Sequence, residues 1–187
     1  KIIASETGKL LENSYRASNI AFINEWSLFS QTIGIDLFEI IEAIKIRPTH
    51  NNIMQPGIGV GGYCLTKDPA MGKISSSQIY NNNSLDFPIS LKSLEINRSM
   101  PINVVNLIKK NLNFQENNVL ILILGLTYLA NVDDIRCSPS IDLIKKLNNE
   151  DFKIHAHDPM IENKRNFEFK TLSDLPCHNK YDFIVLT

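Results

Sequence analysis

Apolar residues return at helical spacing along the first part of the chain. Leu10, Tyr15, Ala17, Ala21, Phe22, Trp26, Phe29 and Ile33 predict one helix from about Ser5 to Ile33, roughly eight turns long. Gly34 ends it. Asp36 is a good N-cap with Glu39 three positions on, the spacing of a capping box, so a second helix runs to about Arg47 before Pro48. Residues 49–63 hold Asn51, Asn52, Pro56 and a cluster of glycines, and read as loop. Asp68-Pro69 pairs a capping residue with one suited to the first helical position, so a short helix starts just beyond Cys64. Polar residues from Ser75 to Ser84 form a further loop. Pro88 then opens a helix through Leu91, Leu94 and Ile96 to Ile108, with Pro101 as a kink or break.

After Asn113-Phe114-Gln115-Glu116-Asn117-Asn118 the pattern changes. Val119-Leu120-Ile121-Leu122-Ile123-Leu124-Gly125 is a continuous apolar run of strand length, suited to a strand covered on both faces. Helical spacing resumes at Ile141, Leu143, Ile144 and Leu147; a short strand follows near Lys153 to Ala156, and a terminal one begins at Phe183. Strand, helix, strand, loop, strand is the grammar of a doubly wound parallel sheet. The expected fold is an all-α domain, a long helix in a helical bundle, over residues 1–114, followed over 115–187 by part of an α/β domain. There are no internal repeats.

Composition removes several function classes. The 187 residues are 43% hydrophobic and 21% charged, with a net charge of -1. No run of Lys or Arg stands clear of neighbouring acids, so nothing asks for nucleic acid or an anionic membrane surface. No apolar run approaches ~18 residues, and no basic segment followed by an apolar core opens the chain. Cys64, Cys137 and Cys177 are odd in number and far apart, without the close pairs a zinc site needs, which points to a reduced cytoplasm. Cys137 and Cys177 read as structural residues. His50, His155, His157 and His178 form no ligand or triad spacing. Lys1-Ile2-Ile3 enters a helical pattern without an initiating Met, and Tyr181 to Thr187 reads as a buried strand at the chain's end, so the chain is read as a piece of a larger protein.

Gly57, Gly59 and Gly62 match the dinucleotide fingerprint G-x-G-x-x-G, which works between a strand and a helix. Asn51-Asn52-Ile53-Met54-Gln55 is too short and polar to be that strand. The alternative is a loop whose glycines let backbone and ligand approach Cys64. Cys64 is either a small buried hydrophobe or a nucleophile; the glycines, Lys67 to favour a thiolate and Asp68 four positions on support the second. Lys9 and Asn13, four apart, share one helix face and can converge on one oxygen, or else form a solvated polar stripe.

Three stretches together resemble a known family. Pro56-Gly57-Ile58-Gly59-Val60-Gly61-Gly62-Tyr63-Cys64 with Asp68-Pro69 resembles the catalytic loop of the nucleotide-sugar 6-dehydrogenases, and its form is most similar to the branch acting on UDP-N-acetylmannosamine. Lys9-Leu10-Leu11-Glu12-Asn13-Ser14-Tyr15-Arg16-Ala17 and Gly125-Leu126-Thr127-Tyr128, continuing through Asp133-Asp134-Ile135-Arg136 to Ser138-Pro139, agree with it in order and spacing. The resemblance implies a central helical domain that forms a homodimer, then the start of a UDP-binding domain, with the NAD-binding domain outside this chain and the piece alone inactive. The implied reaction oxidises the C6 alcohol of a UDP-sugar to a carboxylate with two NAD, Cys64 forming a thiohemiacetal and then a thioester. Lys9 and Asn13 would stabilise charge on the substrate oxygen, and Asp68 would position or activate water. Gly57, Gly59, Gly61, Tyr63 and Lys67 would line the substrate, while Gly62 and Arg136 would face the cofactor, Arg136 that of a neighbouring subunit. Arg136 has a plainer alternative, pairing with Asp133 or Asp134. Asp158, after the second strand, is either a ribose-facing acid or a turn former.

One departure is plain. Leu129 stands where the family usually has a substrate-contacting Lys, and Ala130 where Pro or Lys is common. Loss of a charge-assisted bond there would weaken substrate binding by about 1–3 kcal/mol. A second class of function therefore stays open, a dimerising and UDP-sugar-binding module without catalysis. A thiol redox protein is a third, without a resolving cysteine near Cys64.

Overall fold

A computed structural model describes residues 2–112, 118–161, 167–174, 177 and 180–187. Cα packing divides the chain into two units, Lys1–Arg98 and Ser99–Thr187. His178 and most of the 113–118 stretch lie outside the described residues.

The first unit is helical. Its frame is α1 (Ile2–Ile33), which begins three residues ahead of the expected start. Gly34, at φ +74°, ends it as expected: a left-handed residue there lets the amides of Gly34 and Ile35 both reach the Ser30 carbonyl. Helix α2 (Leu37–Lys45) is capped by Asp36, whose carboxylate accepts from the Phe38 N–H at 2.8 Å, the second helical position. A single 3₁₀ turn, Pro48–His50, follows.

The face that α1 buries differs from the expected one. Of the eight apolar residues that predict the helix, only Ala17 and Ala21 are buried, beside Ile23, Asn24, Ser27 and Ser30. Tyr15, Phe22, Trp26, Phe29 and Ile33 are exposed, as is Leu11. Small and polar side chains let neighbouring segments approach the helix closely, so the bulky ones are left outside, with Trp26 edge-on to both Phe22 and Phe29.

Helix α3 (Asp68–Gln78) brings two corrections. Lys67 occupies the N-cap position without a side-chain cap bond, and Asp68, expected to cap, uses its carboxylate elsewhere. The helix also runs through Gln78, into the expected loop, because Ser76 is buried and its hydroxyl donates to the Asn82 carbonyl at 2.7 Å. Helix α4 (Pro88–Asn111) continues through a buried Pro101, whose missing N–H removes one ladder bond without ending the helix.

The second unit carries a four-stranded parallel sheet in the order β3-β2-β1-β4, from β1 (Leu120–Leu124), β2 (Lys153–His157), β3 (Lys170–Thr171) and β4 (Phe183–Leu186). Helix α5 (Pro139–Asn148) crosses between β1 and β2, capped by Ser138 with Pro139 in the first turn. Ile121 and Ile123 of the central strand pack with Leu143, Ile144 and Leu147 of α5 and with Val105 and Ile108 of α4. The last turns of α4 therefore pack with the sheet. The two-residue β3 had no signal in the apolar pattern.

Candidate active site

Four of the expected site residues meet at one carboxylate. Asp68 is 1% exposed. Its Oδ2 accepts from Asn13 Nδ2 at 2.7 Å and lies 3.8 Å from Lys9 Nζ, while Oδ1 accepts from Lys67 Nζ at 2.8 Å. The four-residue spacing of Lys9 and Asn13 does make them converge on one oxygen, and that oxygen is Asp68's own. Burial pushes the Asp68 carboxyl up, but the hydrogen bonds from Lys67 and Asn13 and the charges of Lys67 and Lys9 outweigh it and hold it below the ordinary carboxylate value. Lys67 is raised in turn by its bond to Asp68. Its ammonium also sits 4.7 Å from the centre of the exposed Tyr63 ring. The expected help from Lys67 to a Cys64 thiolate is thus secondary to its pairing with Asp68.

Cys64 is half-buried and free. Its carbonyl accepts from the amides of Lys67 and Asp68 at 3.1 and 2.9 Å, a turn that brings position 68 back over position 64 at the start of α3. In the preceding loop Gly59 and Gly62 take φ +120° and +77°, so at these two positions glycine answers a backbone need. Gly62 is buried, and its carbonyl accepts from Thr66 Oγ1 at 2.8 Å. Gly57 is exposed, and a Cβ there would meet nothing within 4 Å. Gly61 is half-buried. A cavity of about 520 Å³ lies nearby, among Leu10, Pro69, Gly72, Tyr80, Leu85 and Phe87; neither Cys64 nor Asp68 lines it.

Sequence reasoning missed how the loop is attached. Asn24, fully buried on α1, accepts the Gly57 N–H through Oδ1 at 2.9 Å and donates through Nδ2 to Asn97 Oδ1 at 3.1 Å. Asn97 of α4 donates onward to the Ala17 carbonyl at 3.0 Å. Asn19 accepts from the Met54 N–H at 3.4 Å and donates to the Asn52 carbonyl at 3.3 Å. The available signal was an asparagine three turns beyond Asn13 on the face of Ala17 and Ala21, where a polar side chain among small ones has to find a partner.

In the second unit the residues expected near a cofactor are otherwise engaged. Arg136 is exposed and grips Asp134 through Nε and Nη2, the plainer of its two alternatives, and that bond raises the guanidinium's pKa. Asp158, 8% exposed, accepts from the amides of Leu126 and Thr127 at 2.6 and 3.0 Å through Oδ2 and from Met160 at 2.8 Å through Oδ1. The bond to Met160, two residues on, makes it a turn former, and three backbone donors bind its carboxylate. The backbone donors after β1, where doubly wound folds commonly address a phosphate, are spent internally, the Gly125 amide on the His157 carbonyl and the next two on Asp158. Leu129 is exposed in a turn tied by Thr127 Oγ1 to its carbonyl at 3.1 Å. Cys137 and Cys177, expected as structural, are both exposed. Among the described residues no cluster of three potential metal ligands occurs, and no helix is long and apolar enough to cross a membrane.

Comparison with known proteins agrees across both units. Residues 4–99 match the central domain of the UDP-glucose/GDP-mannose dehydrogenase family, and residues 122–187 match its UDP binding domain. A UDP-N-acetyl-D-mannosamine dehydrogenase of Methanocaldococcus jannaschii is 38% identical over 82% of this chain and 34% of its own length. A UDP-glucose 6-dehydrogenase of Rickettsia felis is 33% identical over 91% of this chain and 38% of its own. Among solved structures, the UDP-N-acetyl-mannosamine dehydrogenase of Staphylococcus aureus aligns with TM-score 0.70 and 36% identity over 89% of this chain and 36% of that one. The chain spans well under half the length of these relatives.

Proposed function

Since the chain belongs to the UDP-glucose/GDP-mannose dehydrogenase family, we propose that it is the part of a UDP-sugar 6-dehydrogenase that carries the covalent chemistry of the second oxidation. The observation that carries this reading is the meeting of Lys9, Asn13 and Lys67 on buried Asp68, one turn after a half-buried free Cys64. The activity is proposed for a protein of the relatives' full length. The names of similar proteins point to a UDP-N-acetylhexosamine, UDP-N-acetylmannosamine first, as substrate.

In this reading the Cys64 thiolate adds to the C6 aldehyde, forming a C–S bond and moving the carbonyl electron pair onto oxygen. Lys9 and Asn13, which now share an oxygen of Asp68, hold that oxyanion. After the carbon has lost hydride, the resulting thioester is attacked by water; its C–S bond breaks, Cys64 leaves as thiolate and the acid is released. Asp68 takes the proton of the attacking water. NAD is the proposed hydride acceptor. The exposed apolar stripe of α1, with Tyr15, Phe22, Trp26, Phe29 and Ile33 at three-, four- and seven-residue intervals, supports a homodimer through this unit.

The test is uronate formation by the full-length protein from UDP-N-acetylmannosamine, UDP-N-acetylglucosamine and UDP-glucose in parallel. Two NAD reduced per sugar are expected, and Cys64→Ala is expected to form no acid. Undiminished acid formation by that variant overturns the reading. A second reading rests on Leu129: the 187 residues by themselves bind UDP-sugar and self-associate without transferring hydride.

A further inference from the structure

Among the described residues, the segment from Met54 to Tyr63 makes no backbone–backbone hydrogen bond of its own. A stretch with four glycines and no ladder has much conformational freedom, yet it has to deliver Cys64 to one place. Its fixed points come from side chains of three helices, with Gln55 Nε2 donating to Glu42 Oε1 of α2 at 3.0 Å and the others on α1 and α4. On α1, Asn19 receives the Met54 amide, Asn24 the Gly57 amide, and Asn13 donates to Asp68 just past the loop. Asn13 and Asn24 are three turns apart, about 16 Å along the helix, so the loop is tied lengthwise to one rod. On α4, consecutive residues back both ends: Asn97 supports Asn24, and Arg98 Nη2 donates to the Thr66 carbonyl at 3.1 Å.

The central link has a direction. Gly57 presents an N–H at one end and Ala17 a carbonyl at the other, so each intervening amide has to accept on one side and donate on the other. Two carboxamides in series meet that demand without a buried charge. We propose that Asn24 and Asn97 are positioning residues that clamp the glycine loop to α1 and set where Cys64 meets Lys9 and Asn13. The proposal rests on the function given above for its catalytic consequence, though the clamp itself is a property of the fold.

Hydrogen exchange and thiol alkylation of the full-length protein test it in three forms: wild type, Asn24→Leu, and Asn24→Leu combined with Asn97→Leu. The double variant replaces both partners by apolar groups of similar size, which keeps the helix contact while removing the Gly57 acceptor. Amides from Gly57 to Cys64 are expected to exchange about tenfold faster in both variants, with those of α1 and α4 unchanged. Iodoacetamide labelling of Cys64 should change by about tenfold while the exposed Cys137 and Cys177 keep their wild-type rates. Acid formation from the C6 aldehyde should fall more than aldehyde formation from the alcohol, as a fall in kcat with little change in KM. Unchanged exchange of the loop in the folded double variant, or an increase spread equally over α1 and α4, overturns the clamp. A wild-type protein that forms no uronate overturns the function above and leaves the exchange and labelling outcomes to decide the clamp.

Discussion

Two buried aspartates, one in each unit, are held by different kinds of donor. Asp68 and Asp158 both sit out of water, and both have carboxyls held below the ordinary value against the opposing push of burial. Their partners differ. Asp158 is bound by three backbone amides that have nowhere else to go, so its role is to fix the turn after β1. Asp68 is bound by side chains of Asn13, Lys67 and Lys9, each able to exchange that partner for an incoming oxygen. A carboxylate held by side chains can give up its donors during a reaction, whereas one held by main chain cannot.

The largest effect that sharpens this contrast belongs to Asp68→Ala in the full-length protein. Turnover to uronate is expected to fall by about a hundredfold or more while the protein stays folded, as read by steady-state kinetics beside thermal denaturation. Asp158→Ala should do the opposite, lowering stability by about 3 kcal/mol through three unpaired amides, measured by urea denaturation. Comparable turnover losses in the two variants would erase the distinction. The isosteric pair is finer. Asp158→Asn keeps one oxygen for Leu126 and Thr127 but turns an NH₂ toward the Met160 amide, a cost of about 1 kcal/mol in the same measurement. Asp68→Asn is expected to retain its contact with Asn13, lose its attraction for both lysines and again show mainly as slower turnover.

The smallest effect concerns acid. Burial, and after it the nearby charge of Lys170, hold His155 below the ordinary histidine value beside the Tyr181 hydroxyl at 2.8 Å. A group depressed in the folded state adds stability that is present above its unfolded pKa of about 6.5 and is lost as pH falls through the folded value. The second unit should therefore weaken on acidification from pH 7 toward 5, and His155→Phe should flatten that slope in denaturation profiles. An unchanged slope would move the acid sensitivity to other groups.

Much of the fold was legible because it is local. Helical spacing located α1, α4 and α5, and Asp36, Glu39 and Pro48 bounded α2; the unbroken apolar run from Val119 predicted a central strand; and the order of elements predicted a parallel sheet. The Cys64 loop, and the shared face of Lys9 and Asn13, were legible for the same reason, since neighbours on a helix follow from sequence spacing. The role of Asp158 was open between two readings, and three amides bear out the turn-forming one. Asn24 and Asn97 went unnoticed, because nothing in their local context says that positions 73 residues apart will meet.

The sequence by itself determined where the longer helices and the central strand lie, and that Lys9, Asn13, Cys64 and Asp68 stand at the spacings of the proposed site. Tertiary structure alone decided which face of α1 turns inward. An amphipathic pattern names an apolar side without knowing what will pack against it, and here close approach favoured Ala17, Ala21 and Asn24 over the larger aromatics. That choice put Asn13 and Asn24 within reach of the glycine loop and left Phe22, Trp26 and Phe29 facing outward.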